Sequence, residues 1–330
     1  LKMDFLGLRN LTVIRNTVRN VKESQNIDID IAHLDMTDEA TYALITSGQT
    51  DGVFQVESDG MKSFMKDLKP RNIEDLTAGI SLYRPGPMDF IPIYLKNREE
   101  PESITYDCPQ LKKILEPTYG CIVYQEQVMQ IVMELAGYTM GRSDLVRRAM
   151  AKKKADVMQK ERKNFVYGND EENVPGCIRN GISEKVANKI FDEMITFAEY
   201  AFNKSHGVVY SVVTFQTAYL KAHYTKEFMA ALMNSMTANT TKIAYYIQAL
   251  RKRGIPVLPP DVNESSGEFG VSGNAVRYAL LAIKSVGRPS IEFIYQERRN
   301  HGSYKSIHDF LTRVQNGDVN KRAVENFIKA

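Results

Sequence analysis

Residues 203–223 read NKSHGVVYSVVTFQTAYLKAH: a polar, hydroxyl-bearing opening, a long apolar run without proline, and a basic end. This pattern predicts a long helix running to about His223, with Ser205 as its N-cap. Working back from it, helices are predicted over about 183–198 and through the basic region 142–165, with a polar link at 168–173 between them. Earlier still, one is predicted over about 125–135, with Gly137 and Gly141 bracketing its exit turn. Further helices are expected from about Ile73 to Leu82, from Gly60 to Leu68, behind a Thr37 N-cap to near Gly48, and from about Arg9 to Val21. Short extended elements are predicted at Met3–Leu8, Gly52–Val56 and Tyr119–Tyr124.

Two more helices follow residue 223. They end at Gly254, before Ile255-Pro256-Val257-Leu258-Pro259-Pro260-Asp261, a run too proline-rich to be helical that marks a domain boundary. Beyond it a smaller mixed module is expected, with a strand over 277–283, a tight hairpin at Val286-Gly287 and a helix over 290–299. The fold class is mostly α with small β elements: an elongated multi-helix domain followed by a small α+β module.

At 330 residues, 43% apolar and 25% charged, the chain has the make-up of a globular protein of two or three units. No stretch approaches the ~20 apolar residues needed to span a bilayer, so no membrane partner is expected and a cytoplasmic location is. Cys108, Cys121 and Cys177 are far apart and lack any CxxC pairing, which argues against a disulfide framework or a zinc site. The chain begins without methionine, inside an apolar segment, and stops in a helical pattern. It reads as a piece of something larger.

The net charge is only +3, so any affinity for nucleic acid has to come from clustering. The cluster lies at 142–163, where Arg142, Arg147, Arg148, Lys152, Lys153, Lys154, Lys160, Arg162 and Lys163 face only Asp144, Asp156 and Glu161. Arg148 and Lys152 are four apart and Arg147 and Lys154 seven, so their cations project from adjacent faces and suit a polyphosphate; a solvated basic helix is the plainer alternative. Asn203-Lys204-Ser205-His206 sets a cation, a hydroxyl and an imidazole at a helix N-terminus, which favours anions, although His206 could equally be a capping or packing residue. Arg84 stands where Leu82-Tyr83-Arg84-Pro85-Gly86-Pro87 stops a helix. Tyr83, Tyr119, Tyr124 and Tyr210 could pack on a base or sugar, or sit in the core. Asp4 is a lone carboxylate in an apolar strand, either a metal ligand or an edge residue. Walker loop, HExxH and nucleophile-elbow patterns do not occur, so hydrolase and kinase templates find no support.

Lys2-Met3-Asp4-Phe5-Leu6-Gly7-Leu8, Leu82–Pro87, Tyr119-Gly120 with Tyr124-Gln125-Glu126-Gln127-Val128-Met129, Arg147-Arg148-Ala149-Met150 and Phe202-Asn203-Lys204-Ser205-His206 recur in order over nearly the whole chain. Together they closely resemble the C-family replicative DNA polymerases, the alpha subunits of bacterial DNA polymerase III. The resemblance implies a palm segment at 1–30, a fingers domain at 31–258 and a truncated helix-hairpin-helix-like region in 259–330. It implies template-directed transfer from a dNTP to a primer 3′-hydroxyl, with two magnesium ions, of whose ligands only Asp4 lies in this stretch. Arg84, Arg147, Arg148, Lys152, Lys153, Asn203, Lys204, His206 and Tyr210 would line the triphosphate and nucleotide pocket. Lys284, Gly287, Lys321 and Arg322 would grip duplex phosphates of the primer–template DNA. Other replicase subunits would be reached through the full-length chain. Ala151, Ala201, Ala279 and Leu281 depart from the family's glycines. Two other readings stay open: a non-enzymatic DNA- or triphosphate-binding module, and a helical scaffold with a solvated basic face.

Overall fold

The computed structural model describes residues 3, 7–151, 155–198, 200–315 and 319–330. The described residues form sixteen α-helices and one small sheet, a mostly α protein with small β elements. In chain order they are α1 (Arg9–Gln25), α2 (Glu39–Ser47), α3 (Asp59–Leu68), α4 (Ile73–Leu82), α5 (Ile91–Glu99), α6 (Pro109–Leu115), α7 (Gln125–Ala136), α8 (Met140–Ala151), α9 (Ala155–Tyr167), α10 (Glu184–Ala198), α11 (Lys204–His223), α12 (Thr225–Asn234) and α13 (Thr240–Lys252). After them come β1 (Val257–Leu258), β2 (Gly270–Ser272), β3 (Ala275–Arg277), α14 (Arg288–His301), α15 (Ile307–Val314) and α16 (Lys321–Lys329). None of these helices is long and apolar enough to cross a membrane. The chain divides into two compact units: Leu1–Leu44 with Gln49–Ser58 and Thr214–Ala330, and Ile45–Gly48 with Asp59–Val213.

In the first unit α1 buries Val13, Ile14, Thr17 and Val21, a stripe at helical spacing, and packs on α12. Past α13, β1 pairs parallel and β2 antiparallel with β3, so Val276 stands opposite both Val257 and Val271. Gly273, at φ 57°, makes the β2–β3 turn. The strand predicted over 277–283 ends at Arg277, because the backbone then tightens into a single 3-10 turn at Leu280–Ala282. The segment predicted as a strand at Gly52–Val56 is a run of turns instead: Gln55 is left-handed, and the Thr50 hydroxyl bonds back to the Val56 carbonyl. Asp38, not Thr37, caps α2, since its carboxylate accepts from the Thr41 amide at 2.8 Å while Thr37 donates to Asp35. The extended segment predicted at Met3–Leu8 lies largely outside the described residues.

In the second unit, α6 to α10 enclose one apolar core, with Val128, Ile131, Val132 and Leu135 of α7 at its centre. The single helical region predicted over 142–165 is two helices, α8 and α9. The three cysteines are free and buried, and burial pushes the Cys121 and Cys177 thiols up to about 11 and about 12, leaving them protonated at neutral pH.

One buried ion pair ties the start of this unit together. Arg98 of α5, 14% exposed, donates to Asp75 of α4 at 2.7 Å and to the Leu68 carbonyl at the end of α3 at 2.6 Å. Asp75 also accepts from the Arg71 amide. Replacing Arg98 with alanine leaves a buried carboxylate and a helix-end carbonyl without their cation, so Arg98→Ala is expected to lower unfolding stability by about 3 kcal/mol. Urea denaturation of the variant checks this.

Candidate functional site

The segment before α7 is shaped by Gln127. Its side-chain oxygen accepts from the Val123 and Tyr124 amides at 2.8 and 3.0 Å, closing a capping box, and its amide group donates to Thr118 Oγ1 at 2.7 Å and to the Ile114 carbonyl at 3.2 Å. Tyr119 and Gly120 are both left-handed, which folds the chain back so that Thr118 reaches the Cys121 carbonyl at 2.6 Å. Val123–Gln125 emerge extended and pair with Phe202: the Phe202 amide donates to the Val123 carbonyl at 3.0 Å, and the Gln125 amide donates to the Phe202 carbonyl at 2.9 Å. The Tyr124 ring is buried, and desolvation pushes its hydroxyl well above the usual tyrosine range.

Phe202 leads into α11, whose first turn crosses α4 at Gly207. A side chain there would meet Thr77, Ser81 and Phe202 at 3.0–3.3 Å, and just beyond it the Thr77 hydroxyl donates to Ser211 at 3.0 Å. Asn203, not Ser205, caps α11 by accepting from the His206 amide at 2.8 Å. The anion at this helix end is Glu126, which accepts from the Lys204 amide at 2.9 Å and from the Asn203 side chain at 3.1 Å. The position expected to attract phosphate thus already holds a carboxylate of the protein.

Arg84, past the end of α4, lies over the Phe202 ring at 4.4 Å and donates to the carbonyls of Ser81 and Tyr200. It forms no ion pair among the described residues, and partial burial lowers its pKa. Gly86 makes this placement possible: at φ 98° it brings the backbone so close to Tyr200 that a Cβ would sit 2.4 Å from the ring. Phe202 also faces His206, and His206 faces Tyr210 at 4.1 Å between ring centroids. The Lys204 ammonium stands over Tyr124 at 5.4 Å.

The arginines of α8 join through Gln125, which donates to the Ala201 carbonyl and accepts from Arg147 at 3.0 Å. Arg147 donates to Asp144 at 2.6 Å and is 18% exposed, whereas Arg148 shares that carboxylate at 2.8 Å and is 63% exposed. Among the other described residues of the basic run, Arg142 pairs with Glu161 and Glu172, Lys160 with Glu172, and Arg162 with Asp192.

Arg84, Arg147, Arg148, Asn203, Lys204, His206 and Tyr210 therefore fall in one connected cluster. Asp4, Lys152 and Lys153 lie outside the described residues. Lys284 and Gly287 stand exposed at the entrance of α14, and Lys321 and Arg322 stand exposed in the first turn of α16 behind an Asn320 cap. Both helices rest on the core of Val286, Ile291, Ile294 and Ala323. Gln125, Glu126, Asp144 and Phe202 were not predicted as site members. Asp144 had a legible signal, standing three and four residues before the two arginines of one helix.

Residues 10–173 match the family model for the bacterial DNA polymerase III alpha subunit finger domain, and residues 254–330 that for the helix-hairpin-helix motif. DNA polymerase III subunit alpha of Thermus aquaticus is 48% identical across the whole chain, which covers 27% of that protein. The Bacillus subtilis subunit is 43% identical over 99% of the chain and 29% of its own length; that of Campylobacter jejuni is 43% identical over 100% and 27%. The chain belongs to the DNA polymerase III alpha subunit family, and spans about a quarter of the length of these curated relatives.

The arginines hold the Asp144 carboxyl below its ordinary value of 3.8, Arg147 contributing most. A carboxyl depressed by folding stabilises the fold above its unfolded pKa, and that contribution is lost as pH falls through the folded value. Carboxyl-carbon NMR titration is therefore expected to place the Asp144 midpoint below 3.8, and Arg147→Ala to move it upward.

Proposed function

We propose that this chain supplies the fingers of a template-directed DNA polymerase, which hold a deoxynucleoside triphosphate while a primer 3′-hydroxyl attacks its α-phosphate. Residues 1–30 would belong to the palm, 31–258 to the fingers and 259–330 to a helix-hairpin-helix region. The observation that carries this reading is the union of Arg84, Lys204, Arg147 and Arg148 with the Phe202–His206–Tyr210 ring series in one cluster.

Arg84 and Arg148 are the cations suited to the triphosphate: Arg84 lacks a carboxylate partner among the described residues, and Arg148 is exposed and shares its carboxylate. Arg147, fixed by Asp144 and Gln125, orients the turn that carries Arg148. The His206–Tyr210 pair offers aromatic surface for the base or sugar. Because Glu126 occupies the end of α11, the side chains rather than the helix amides are assigned the phosphate contacts.

The parent reaction would use two magnesium ions, which stabilise charge developing on the reacting phosphate, with Asp4 as the ligand this stretch contributes. The described residues contain no group of three His, Cys, Asp or Glu side chains able to hold a metal, so no step is assigned to a metal here. Lys284, Gly287, Lys321 and Arg322 would contact phosphates of primer–template DNA without reading sequence.

In the full-length subunit, Arg84→Ala is expected to raise the KM for dNTP about 10–100-fold, the size of a lost charge-assisted hydrogen bond, while DNA affinity stays unchanged. Steady-state primer extension measures it, and an unaltered KM would remove Arg84 from the site. Lys321→Ala should instead weaken DNA binding uniformly across sequences and make the log affinity against log salt slope shallower by about one, as read by fluorescence anisotropy.

A further inference from the structure

In the first unit a cavity of about 200 Å³ lies where the end of α11, α12 and α13 meet residues 49–51. Its wall carries three cations, Lys221, Lys252 and Arg253, against one carboxylate, Asp51. The Lys221 side chain is only 2% exposed; its ammonium donates to the Asp51 carbonyl at 2.6 Å and stands 3.9 Å from the Asp51 carboxylate. That carboxylate also accepts from the Tyr245 hydroxyl.

Arg253 ends α13 half-buried, with one guanidinium arm on Gln49 Oε1 at 3.1 Å and no ion pair among the described residues. Burial lowers its pKa, with the Asp51 carboxylate acting in the opposite direction. A planar fork of donors with a neutral partner on one arm matches an oxyanion on the other. The volume is below the ~300–1,000 Å³ of pockets that enclose drug-sized ligands, so it suits a group of a few heavy atoms.

We propose that this cavity binds the phosphate group of a small anion, held by Arg253 with the charge of Lys221 behind it. The site uses none of the residues assigned above to the triphosphate or DNA, and it stands independently of the polymerase reading. Calorimetric titration of the full chain with inorganic phosphate, at constant ionic strength against chloride, is expected to show saturable binding that weakens at least tenfold in Arg253→Gln and persists in Arg84→Ala. A parallel titration with dAMP distinguishes the sources: saturation there assigns the terminal phosphate of a nucleotide, and its absence assigns the free anion. Should Arg253→Gln fail to fold, NMR of the wild-type chain decides, since phosphate must then shift the side-chain amides of Gln49 and Gln248. Absence of saturable phosphate binding, equal affinity in Arg253→Gln, or unshifted amides would overturn the assignment and leave an adventitious ion only.

Discussion

Two backbone hydrogen bonds, between Phe202 and the residues on either side of Tyr124, are the constraint on which the second unit's cluster depends. They join segments about eighty residues apart in sequence and set three side chains at once. Phe202 becomes a platform for Arg84, Gln125 is aimed at Arg147, and Glu126 is brought to the end of α11. The pairing itself rests on Gln127, whose four hydrogen bonds fix the extended segment before α7. A buried amide with every group satisfied confers rigidity that a single exposed contact cannot.

The charge distribution changes meaning once the fold is known. In sequence the region 142–163 is the most cationic of the chain, yet its described arginines and Lys160 are mostly bound to carboxylates on α8, α9, α10 and the loop carrying Glu172. Arg142, with Tyr138 and Glu161, is part of the unit's packing rather than a contact for a ligand. On this run Arg148 and Lys163 remain exposed, and Lys152, Lys153 and Lys154 lie outside the described residues.

Most helices were legible because their apolar spacing and proline stops are local signals; α3, α4, α7, α10 and α11 stand within a residue or two of the positions read from sequence. What failed was side-chain competition at helix ends. Thr37 and Ser205 are good capping residues by type, but Asp38 and Asn203 lie where their acceptors meet the free amides. The residues 52–56 looked like a strand because Val53, Phe54 and Val56 are apolar; Val53 and Val56 are buried, yet each amide bonds to a residue three earlier and the segment stays a run of turns. Of the site, the cations were legible from residue type and the connections were not, since Phe202 and Gln125 act through backbone pairing that no local pattern encodes.

The helix-hairpin-helix region shows how a departure from a family pattern is weighed by conformation. Ala279 and Leu281, which depart from the glycines that the family resemblance implies, raise the question of whether the turn before α14 can still form. Ala279 is extended at φ −75° and fully buried, and neither residue is left-handed, so glycine's conformational freedom is not required at either place. The one left-handed residue of the turn is Ser285, at φ 62°, and Gly287 sits at φ −86° as the N-cap of α14. The strain of reversing the chain therefore falls on an exposed serine, where no neighbour has to give way. Val286 stays in the core.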